Sequence, residues 1–351
     1  MPEQPRVAIL AEGQLDRRTA KTAIGVIRYA PYPVVAIVDS TRAGSDAADA
    51  IGVGHGIPIV ATIDEAVTLG ASVLLVGTAA PGGRIADSDR RHLGRALETG
   101  LTVWNGLHER VLADPALRDA TARGGGHVRE LREPPADLPV GGHRARRAGT
   151  HVVLTVGSDA AVGKMTVALE LVRALERAGR HAAFVATGQT GIAIAGNGIS
   201  VDAVVADFIA GAAERMVCDA AGSSDWVVVE GQGSLTHPGF SGVTLGLLHG
   251  SAPDALLLCH DASRTEVKGF PGTRIRPLRE LVPLYESAAT WTRAPGSRVP
   301  VVAVALNTSA LDAEAARRAI TAAAAETGLP AADPVREGAA GSDRLAAAVL
   351  R

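Results

Sequence analysis

One stretch near the middle of the chain, residues 151–178, constrains the fold more than any other. It begins with an apolar, β-branched run, His-Val-Val-Leu-Thr-Val, continues through a glycine-containing loop over residues 157–166, and ends in a helical pattern. A glycine that ends a strand lets the chain turn with positive φ, and the helix that follows directs its positive dipole end at the same point. The order of strand, loop, lysine and helix therefore predicts a phosphate-binding loop rather than an ordinary strand-to-helix turn.

This loop departs from the usual pattern Gly-x4-Gly-Lys-Ser/Thr in two ways. Five residues separate Gly157 from Gly163, and Met165 follows Lys164 where a hydroxyl side chain normally contributes to Mg²⁺ binding. Either Thr166 supplies that hydroxyl or the site needs no metal. The residues that we expect to contact phosphate are Gly157, Ser158, Asp159, Ala161, Val162, Gly163, Lys164, Met165 and Thr166.

Length and composition set the broad class of protein. A chain of 351 residues is long enough for two domains, each with its own core. Hydrophobic residues make up 47% of it and the net charge is −2, which favours a soluble globular protein and disfavours nucleic acid as the main partner. Cys218 and Cys259 lack CxxC spacing, which predicts reduced thiols and a cytoplasmic location. No apolar run approaches the ~20 residues of a membrane span, so we expect no membrane partner.

Strand and helix patterns alternate through residues 1–123, which predicts a doubly wound α/β domain. The first turn, Ala-Glu-Gly-Gln at residues 11–14, lacks Gly-x-Gly-x-x-Gly, so dinucleotide binding is disfavoured although Asp39 ends the second strand. Lys21 and Arg84 are candidates for binding the anionic groups of a substrate, and the alternative for both is a solvated surface charge. The predicted strands cover residues 6–11, 34–38, 57–61, 73–76 and 101–104, and the predicted helices 16–29, 64–69 and 87–99.

Residues 124–149 are rich in Gly, Pro and Arg, which predicts a linker between two domains. Residues 150–351 then form a second domain of alternating strands and helices, with the phosphate-binding loop after its first strand. The predicted strands cover residues 151–156, 181–187, 225–230, 255–259 and 301–306, and the predicted helices 167–178, 201–221, 241–249, 313–326 and 342–350.

Polar side chains follow the predicted strands of the second half, where open α/β sheets bind their ligands. Glu230 closes an apolar strand, as the Walker-B acid does beside a phosphate-binding loop. His237 and His260 lie at loop or strand-end positions, so each is a candidate general base beside Glu230 or a histidine that is merely hydrogen-bonded. The remaining candidates are Gln189, Gln232 and Arg264 for substrate binding, and Asn307 for recognition of an adenine edge.

Taken together, these motifs make the whole chain resemble the D-glutamate N-acetyltransferase family, formerly a family of unknown function. The matching stretches are Lys-Thr-Ala-Ile-Gly-Val-Ile-Arg-Tyr at 21–29, Val-Ala-Ile-Val-Asp-Ser at 35–40, Val-Gly-Lys-Met-Thr at 162–166, and Glu-Gly-Gln-Gly-Ser-Leu at 230–235 followed by His237 and Pro238. The resemblance implies a Rossmann-like N-terminal domain and a P-loop NTPase-like C-terminal domain. It also implies acetyl-CoA as acyl donor and a small acidic amino acid as acceptor.

The second half is also similar to dethiobiotin synthetase, an enzyme that uses ATP with Mg²⁺. That similarity rests on Asp159, the Val-Glu-Gly at 229–231, Asn307 and the Asp-Pro-Val at 333–335. Because one fold serves many functions, two interpretations stay open. In a transferase, the loop binds the phosphates of CoA, one of Glu230, His237 and His260 removes a proton from the substrate ammonium, and no metal is required.

In a ligase or kinase, Mg²⁺ would bridge the ATP phosphates and Asp159 or Glu230 would hold it. A nucleotide-sensing module without catalysis is a third possibility, which the polar loops at four strand ends disfavour. We expect the transferase, with small-molecule substrates and a homo-oligomeric assembly.

Overall fold

The computed structural model of the protein describes residues 4–16, 19–78, 83–144 and 146–351. Its contacts divide the chain into two compact units. The first comprises Met1–Glu133 with Ile192–Asn197, and the second Pro134–Gly191 with Gly198–Arg351. Each unit contains a six-stranded sheet whose neighbouring strands are all parallel and are flanked by helices. The predicted fold class, two doubly wound parallel α/β domains, is confirmed.

The first sheet consists of β1 (Val7–Leu10), β2 (Val34–Val38), β3 (Ile59–Val60), β4 (Val73–Val76), β5 (Thr102–Asn105) and β6 (His127–Glu130), in the order β3-β2-β1-β4-β5-β6. The helices between these strands are α1 (Lys21–Tyr29), α2 (Ala47–Ile51), α3 (Ile63–Thr68), α4 (Asp87–Glu98) and α5 (Pro115–Gly124). Single turns of 3₁₀ helix span Ser40–Arg42 and Val111–Ala113. Residues 79–82, which precede the candidate residue Arg84, lie outside the described residues.

Strand β6 lies in residues 124–149, which the sequence predicts to be a linker. Its four residues, His-Val-Arg-Glu, pair with β5 at the edge of the sheet and none of them is fully buried. An edge strand of this kind carries no alternation of apolar and polar residues, so sequence patterns do not reveal it. The linker predicted for residues 124–149 therefore begins too early, because residues 127–130 belong to the first sheet.

The second sheet consists of β7 (His151–Gly157), β8 (Ala182–Val185), β9 (Trp226–Val229), β10 (Ala255–Asp261), β11 (Val301–Asn307) and β12 (Ala331–Ala332), in the order β12-β11-β10-β7-β9-β8. Its helices are α6 (Lys164–Arg177), α7 (Gln189–Ala195), α8 (Ala206–Ala221), α9 (Ser241–Ser251), α10 (Leu278–Thr290), α11 (Ala313–Thr327) and α12 (Ala339–Val349), with a 3₁₀ turn at Val201–Ala203. Within the described residues, no helix has the length and apolarity needed to cross a membrane.

Strand β7 is buried on both faces of the second sheet. Val152, Leu154 and Val156 enter one apolar cluster, while Val153 enters another on the opposite face. This alternation is what a strand covered by helices on both sides requires, and it explains the continuous apolar run in the sequence. The strand lies between β9 and β10, so the loop at its end is flanked by loops from both neighbours.

Several elements of the second unit differ from their predictions. Helix α6 begins at Lys164 instead of residue 167, because Gly163 adopts φ 106° and turns the chain directly into the helix. The polar turn expected after β8 is the first turn of α7, which begins at Gln189. Helix α10 has no counterpart among the predicted helices, and it contains Pro283, a residue that normally disfavours a helix interior.

Helices α8 and α9 approach each other closely because α9 carries glycine at two positions four residues apart. A Cβ atom on Gly246 would overlap the side chain of Ile209, and one on Gly250 would overlap the backbone carbonyl of Ala210. Residues four apart lie on the same helix face, so both glycines face α8. The second contact is with backbone, which cannot move aside as a side chain can.

We expect Gly250→Ala to lower the free energy of unfolding by about 1–3 kcal/mol, the usual cost of overpacking a core. Gly242→Ala, in the same helix, is the matched control, because no atom lies within 4 Å of its added Cβ. Alanine there should be neutral or stabilising by up to about 1 kcal/mol, since glycine is a poor helix former. Urea denaturation of both variants measures the difference, and equal stabilities would contradict this account of the packing.

Candidate active site

The predicted phosphate-binding loop connects the end of β7 to the start of α6. Two of its residues, Ala161 (φ 55°) and Gly163 (φ 106°), have left-handed backbone conformations. That conformation costs a non-glycine residue such as Ala161 free energy, and such strain is concentrated at ligand sites. The 14 residues of α6 direct the positive end of the helix dipole into the loop. The loop therefore has the backbone geometry of an anion site.

Lys164 begins α6, and its side chain is buried beneath the loop. Its Nζ atom donates a hydrogen bond of 2.9 Å to the carbonyl oxygen of Asp159. Burial lowers the pKa of Lys164 from 10.5 to about 8, and the nearby carboxylates of Asp159 and Glu230 partly oppose that shift. An anion bound in the loop would favour the charged ammonium further.

The carboxylate of Asp159 is fully buried and ties the loop to the segment after β10. Its Oδ1 atom accepts a hydrogen bond from the Ala160 amide at 2.7 Å, and its Oδ2 atom accepts from Arg264 Nη1 at 2.7 Å and from the Lys268 amide at 2.8 Å. Arg264 Nη1 also donates to the carbonyl oxygen of Ala160 at 2.7 Å. Arg264, predicted to contact substrate, thus binds the loop itself in this structure.

Two hydrogen bonds behind the loop hold its first residues. Tyr285, fully buried in α10, donates its hydroxyl to the carbonyl oxygen of Gly157 at 2.6 Å and accepts from the Leu235 amide at 3.0 Å. Ser158 Oγ lies 2.8 Å from Nδ1 of His260, a residue that is part of β10 instead of following it. Burial lowers the pKa of His260, so its ring is neutral near pH 7, and the tautomer of the ring decides which of Oγ and Nδ1 is the donor. Sequence reasoning missed Tyr285, because a tyrosine in an apolar helix carries no distinguishing signal.

Glu230 follows β9, and its carboxylate is buried against the end of β8. Its Oε2 atom accepts hydrogen bonds from the amides of Thr187 at 3.0 Å and Gly188 at 3.3 Å, and its Oε1 atom lies 3.3 Å from Nε2 of Gln232. Burial raises the pKa of Glu230 from 4.5 to about 7, against the opposing effect of these amides and of Lys164. The group can therefore gain or lose a proton near neutral pH.

Close packing around Glu230 explains why glycines stand just before and within the first turn of α7, at residues 188 and 191. A Cβ atom on Gly191 would overlap Oε2 of Glu230, and one on Gly188 would meet the Gln232 amide. Thr187 donates its hydroxyl to the backbone carbonyl of Glu230 at 2.7 Å. Sequence reasoning missed Thr187, although a polar residue at the carboxyl end of a predicted strand was a usable signal.

His237 has both ring nitrogens engaged. Nδ1 accepts a hydrogen bond from the Gly239 amide at 3.1 Å, so Nε2 carries the proton and donates to the carbonyl oxygen of Lys268 at 3.2 Å. The ring stacks on Phe240 and meets Phe270 edge-on. With these partners His237 has no ring nitrogen available to accept a proton from a substrate.

The other predicted residues are distributed over both units. Asn307 ends β11, where its Oδ1 atom accepts from the Ser309 amide at 3.1 Å. Gln189 begins α7, and Met165 and Thr166 lie in the first turn of α6. Lys21 and Arg84 are both exposed and lie in the first unit. The second unit by itself therefore brings together the phosphate-binding loop, Glu230, His237, His260, Gln232 and Arg264.

Two family models match the chain. The C-terminal P-loop domain of DUF1611, described as a domain of unknown function, matches residues 139–345, and the Rossmann-like N-terminal domain of DUF1611 matches residues 40–134. The chain belongs to the DUF1611 family. This confirms the resemblance noted in the sequence.

Related proteins match this DUF1611 member over most of its length. A protein of Tritonibacter scottomollicae named D-glutamate N-acetyltransferase is 35% identical and covers 97% of this chain and of its own. A protein of the same name from a Pseudoalteromonas species is 36% identical over 79% of this chain and 82% of its own. The crystal structure of a DUF1611 family protein from Anabaena variabilis has a TM-score of 0.90 and 39% identity, covering 99% of both chains.

The raised pKa of Glu230 predicts a change of stability with pH. Between pH 4.5 and about 7 the folded protein keeps a proton that the unfolded chain has lost, so the free energy of unfolding falls as the pH rises through this window. Glu230→Gln removes this titration. We expect its stability relative to wild type to increase by up to about 3 kcal/mol between pH 4.5 and 7.5.

Urea denaturation at a series of pH values measures this difference. Glu280→Gln, an exposed substitution on α10, is the control and should follow wild type throughout. A stability difference for Glu230→Gln that stays flat across the window would show that Glu230 titrates normally.

Proposed function

We propose that this protein is an N-acetyltransferase that moves an acetyl group from acetyl-CoA to the amino group of a small acidic amino acid, D-glutamate or a close relative. The observation that carries the proposal is the buried carboxylate of Glu230, whose pKa is raised to about 7, beside a phosphate-binding loop. The name D-glutamate N-acetyltransferase of a relative aligned over 97% of the chain supports the same activity.

The chemistry of acetyl transfer requires a base of this kind. An amino acid is largely an ammonium ion near pH 7, and only its free amine attacks a thioester. Glu230 takes the proton, the amine nitrogen forms a bond to the acetyl carbon, and the bond from that carbon to sulfur breaks. The CoA thiolate then leaves and takes up the second proton, which the nitrogen loses as the amide forms. A positioned base typically contributes about 10²–10⁴-fold to the rate of such a step.

We assign the phosphate-binding loop to the phosphates of acetyl-CoA. Lys164, the left-handed turn at Gly163 and the N-terminus of α6 suit an anion, and CoA carries both a pyrophosphate and a 3′-phosphate. Gln232, whose amide lies 3.3 Å from Glu230 Oε1, is our candidate for holding the acceptor beside the base. Backbone N–H groups of the surrounding loops would stabilise the tetrahedral oxyanion.

The strand order supports one orientation of acetyl-CoA along the carboxyl edge of the second sheet. Along the sheet edge, Asn307 ends β11, the phosphate-binding loop follows β7 and Glu230 follows β9. An adenine near Asn307 and phosphates in the loop would leave the thioester on the side of Glu230.

Both carboxylate oxygens of Asp159 already accept hydrogen bonds, which disfavours this residue as the Mg²⁺ ligand of an ATP-dependent reaction.

We expect Lys164→Ala to weaken binding of acetyl-CoA by about 10–150-fold, because a hydrogen bond to a charged group contributes about 1.5–3 kcal/mol. Arg173→Ala, also on α6 but half-exposed to solvent, is the control and should bind normally. Titration calorimetry measures both constants. Unchanged binding of acetyl-CoA and of ATP by folded Lys164→Ala would mean that the loop is structural.

We expect Glu230→Gln to lower kcat by about 10²–10⁴-fold while the KM for acetyl-CoA changes little, because the variant keeps the shape of the side chain and loses the base. The assay follows release of CoA thiol with D-glutamate and other acidic amino acids in the presence of EDTA. If wild type releases no thiol, but forms ADP from Mg-ATP in an amino-acid-dependent way, a ligase replaces the transferase.

A further inference from the structure

Two exposed phenylalanines flank one buried histidine beside the candidate active site. The chain has only four phenylalanines, and Phe240 and Phe270 are 51% and 37% exposed. The ring centroid of His237 lies 4.4 Å from that of Phe240, nearly parallel to it, and 5.3 Å from that of Phe270 at a right angle. We call these three side chains the aromatic cluster.

The cluster is held rigidly by hydrogen bonds of its backbone. Phe240 donates its amide to the carbonyl of His237 at 3.3 Å, and its own carbonyl accepts from Thr244 Oγ1 at 3.2 Å. The amide of Phe270 donates to the carbonyl of Val267 at 3.0 Å. His237 joins the two segments, since its two nitrogens contact Gly239 and Lys268. Rings fixed in this way offer apolar area to a ligand at little cost in conformational entropy.

The cluster lies between the loop that Glu230 begins and the phosphate-binding loop. A Cβ atom on Gly233, three residues after Glu230, would overlap the carbonyl of Phe240. On the other side, His237 Nε2 lies 3.9 Å from Asp159 Oδ1, and the Lys268 amide donates to Asp159 Oδ2. Two exposed cations belong to the same segment: Lys268 stands two residues before Phe270 and Arg274 four residues after it. This combination of apolar faces and cations suits a ligand that is apolar in one part and anionic in another.

We propose that Phe240 and Phe270 form the subsite for the pantetheine arm of the acyl-CoA donor, with His237 as the residue that positions both rings. The inference rests on the proposed function. The arm carries a geminal dimethyl group and two amides, which pack well on aromatic faces. The arm is favoured over the adenine because Phe240 contacts the loop of Glu230, where the thioester must react. Asn307, the candidate for adenine, lies on the opposite side of the phosphate-binding loop along the sheet edge.

The test separates the two halves of the donor. Binding of three probes is measured for wild type and for Phe240→Ala, Phe270→Ala and the double variant: acetyl-CoA, S-acetyl-pantetheine, and 3′-phosphoadenosine 5′-diphosphate. We expect each substitution to weaken acetyl-CoA and S-acetyl-pantetheine by about tenfold and to leave the nucleotide half unchanged. His237→Asn should weaken the same two probes.

Trp291→Ala is the matched control, because Trp291 is 61% exposed at the end of α10 and lies outside the cluster. It should bind all three probes as wild type does. Both phenylalanines are exposed, so circular dichroism should show the variants to be folded.

Three outcomes would overturn the inference, and they differ from one another. Weaker binding of the nucleotide half would put the adenine on the cluster. Unchanged binding of every probe, with loss of self-association in the ultracentrifuge, would make the cluster a contact between copies of the chain. If wild type itself binds neither acetyl-CoA nor S-acetyl-pantetheine, the proposed function fails together with the subsite. In the first two outcomes wild type still binds acetyl-CoA, so only the subsite fails.

Discussion

The candidate site depends on one buried negative charge, the carboxylate of Asp159. A buried ion is stable only where charged partners and hydrogen bonds replace water, and here Arg264 and two backbone amides do so. These partners come from the loops after β7 and β10, so the same interactions that neutralise the charge fix the two loops to each other. Removing Arg264 would leave the carboxylate buried without its cation. We therefore regard Arg264 as part of the loop's framework first, and its role in substrate binding remains a prediction.

Lys164 and Glu230, two of the predicted site residues, both have a pKa near neutrality. Burial lowers the pKa of Lys164 to about 8 and raises that of Glu230 to about 7, so both shifts disfavour charge in the same dry interior. Each group also partly offsets the shift of the other. The arrival of an anion over Lys164 would stabilise its ammonium, and that charge would in turn favour the ionised form of Glu230. The charge of Lys164 and the protonation of Glu230 are thus coupled electrostatically.

How far sequence reasoning succeeds depends on whether a feature is local. The loop from Gly157 to Thr166 and the acid after β9 are read from contiguous residues, and the structure has them at adjacent strand ends. Features that depend on distant residues were not predicted. They are the hydrogen bond from the Tyr285 hydroxyl to the Gly157 carbonyl, the position of the ring proton on His237 Nε2, and the binding of Arg264 to Asp159. Strand β6 was not predicted because a polar edge strand lacks the usual periodicity. Helix α10 was not predicted although its buried residues recur at helical spacing, and Pro283 is the residue in it that argues against a helix. The roles of the site residues stay predictions.

Strand β7 is buried on both faces of the sheet, and this affects which parts of the protein can change during evolution. Because Val152, Val153 and their neighbours are covered on both faces, the central strands can hardly change without loss of stability. The segments that follow β9 and β10 include many exposed residues, among them Phe240 and Phe270, and substitutions there leave the sheet untouched. Relatives that share this frame are therefore expected to tolerate changes at the exposed positions of these segments, while Arg264 and the Lys268 amide stay bound to Asp159. Selection for stability and selection for specificity then act on different residues of one unit.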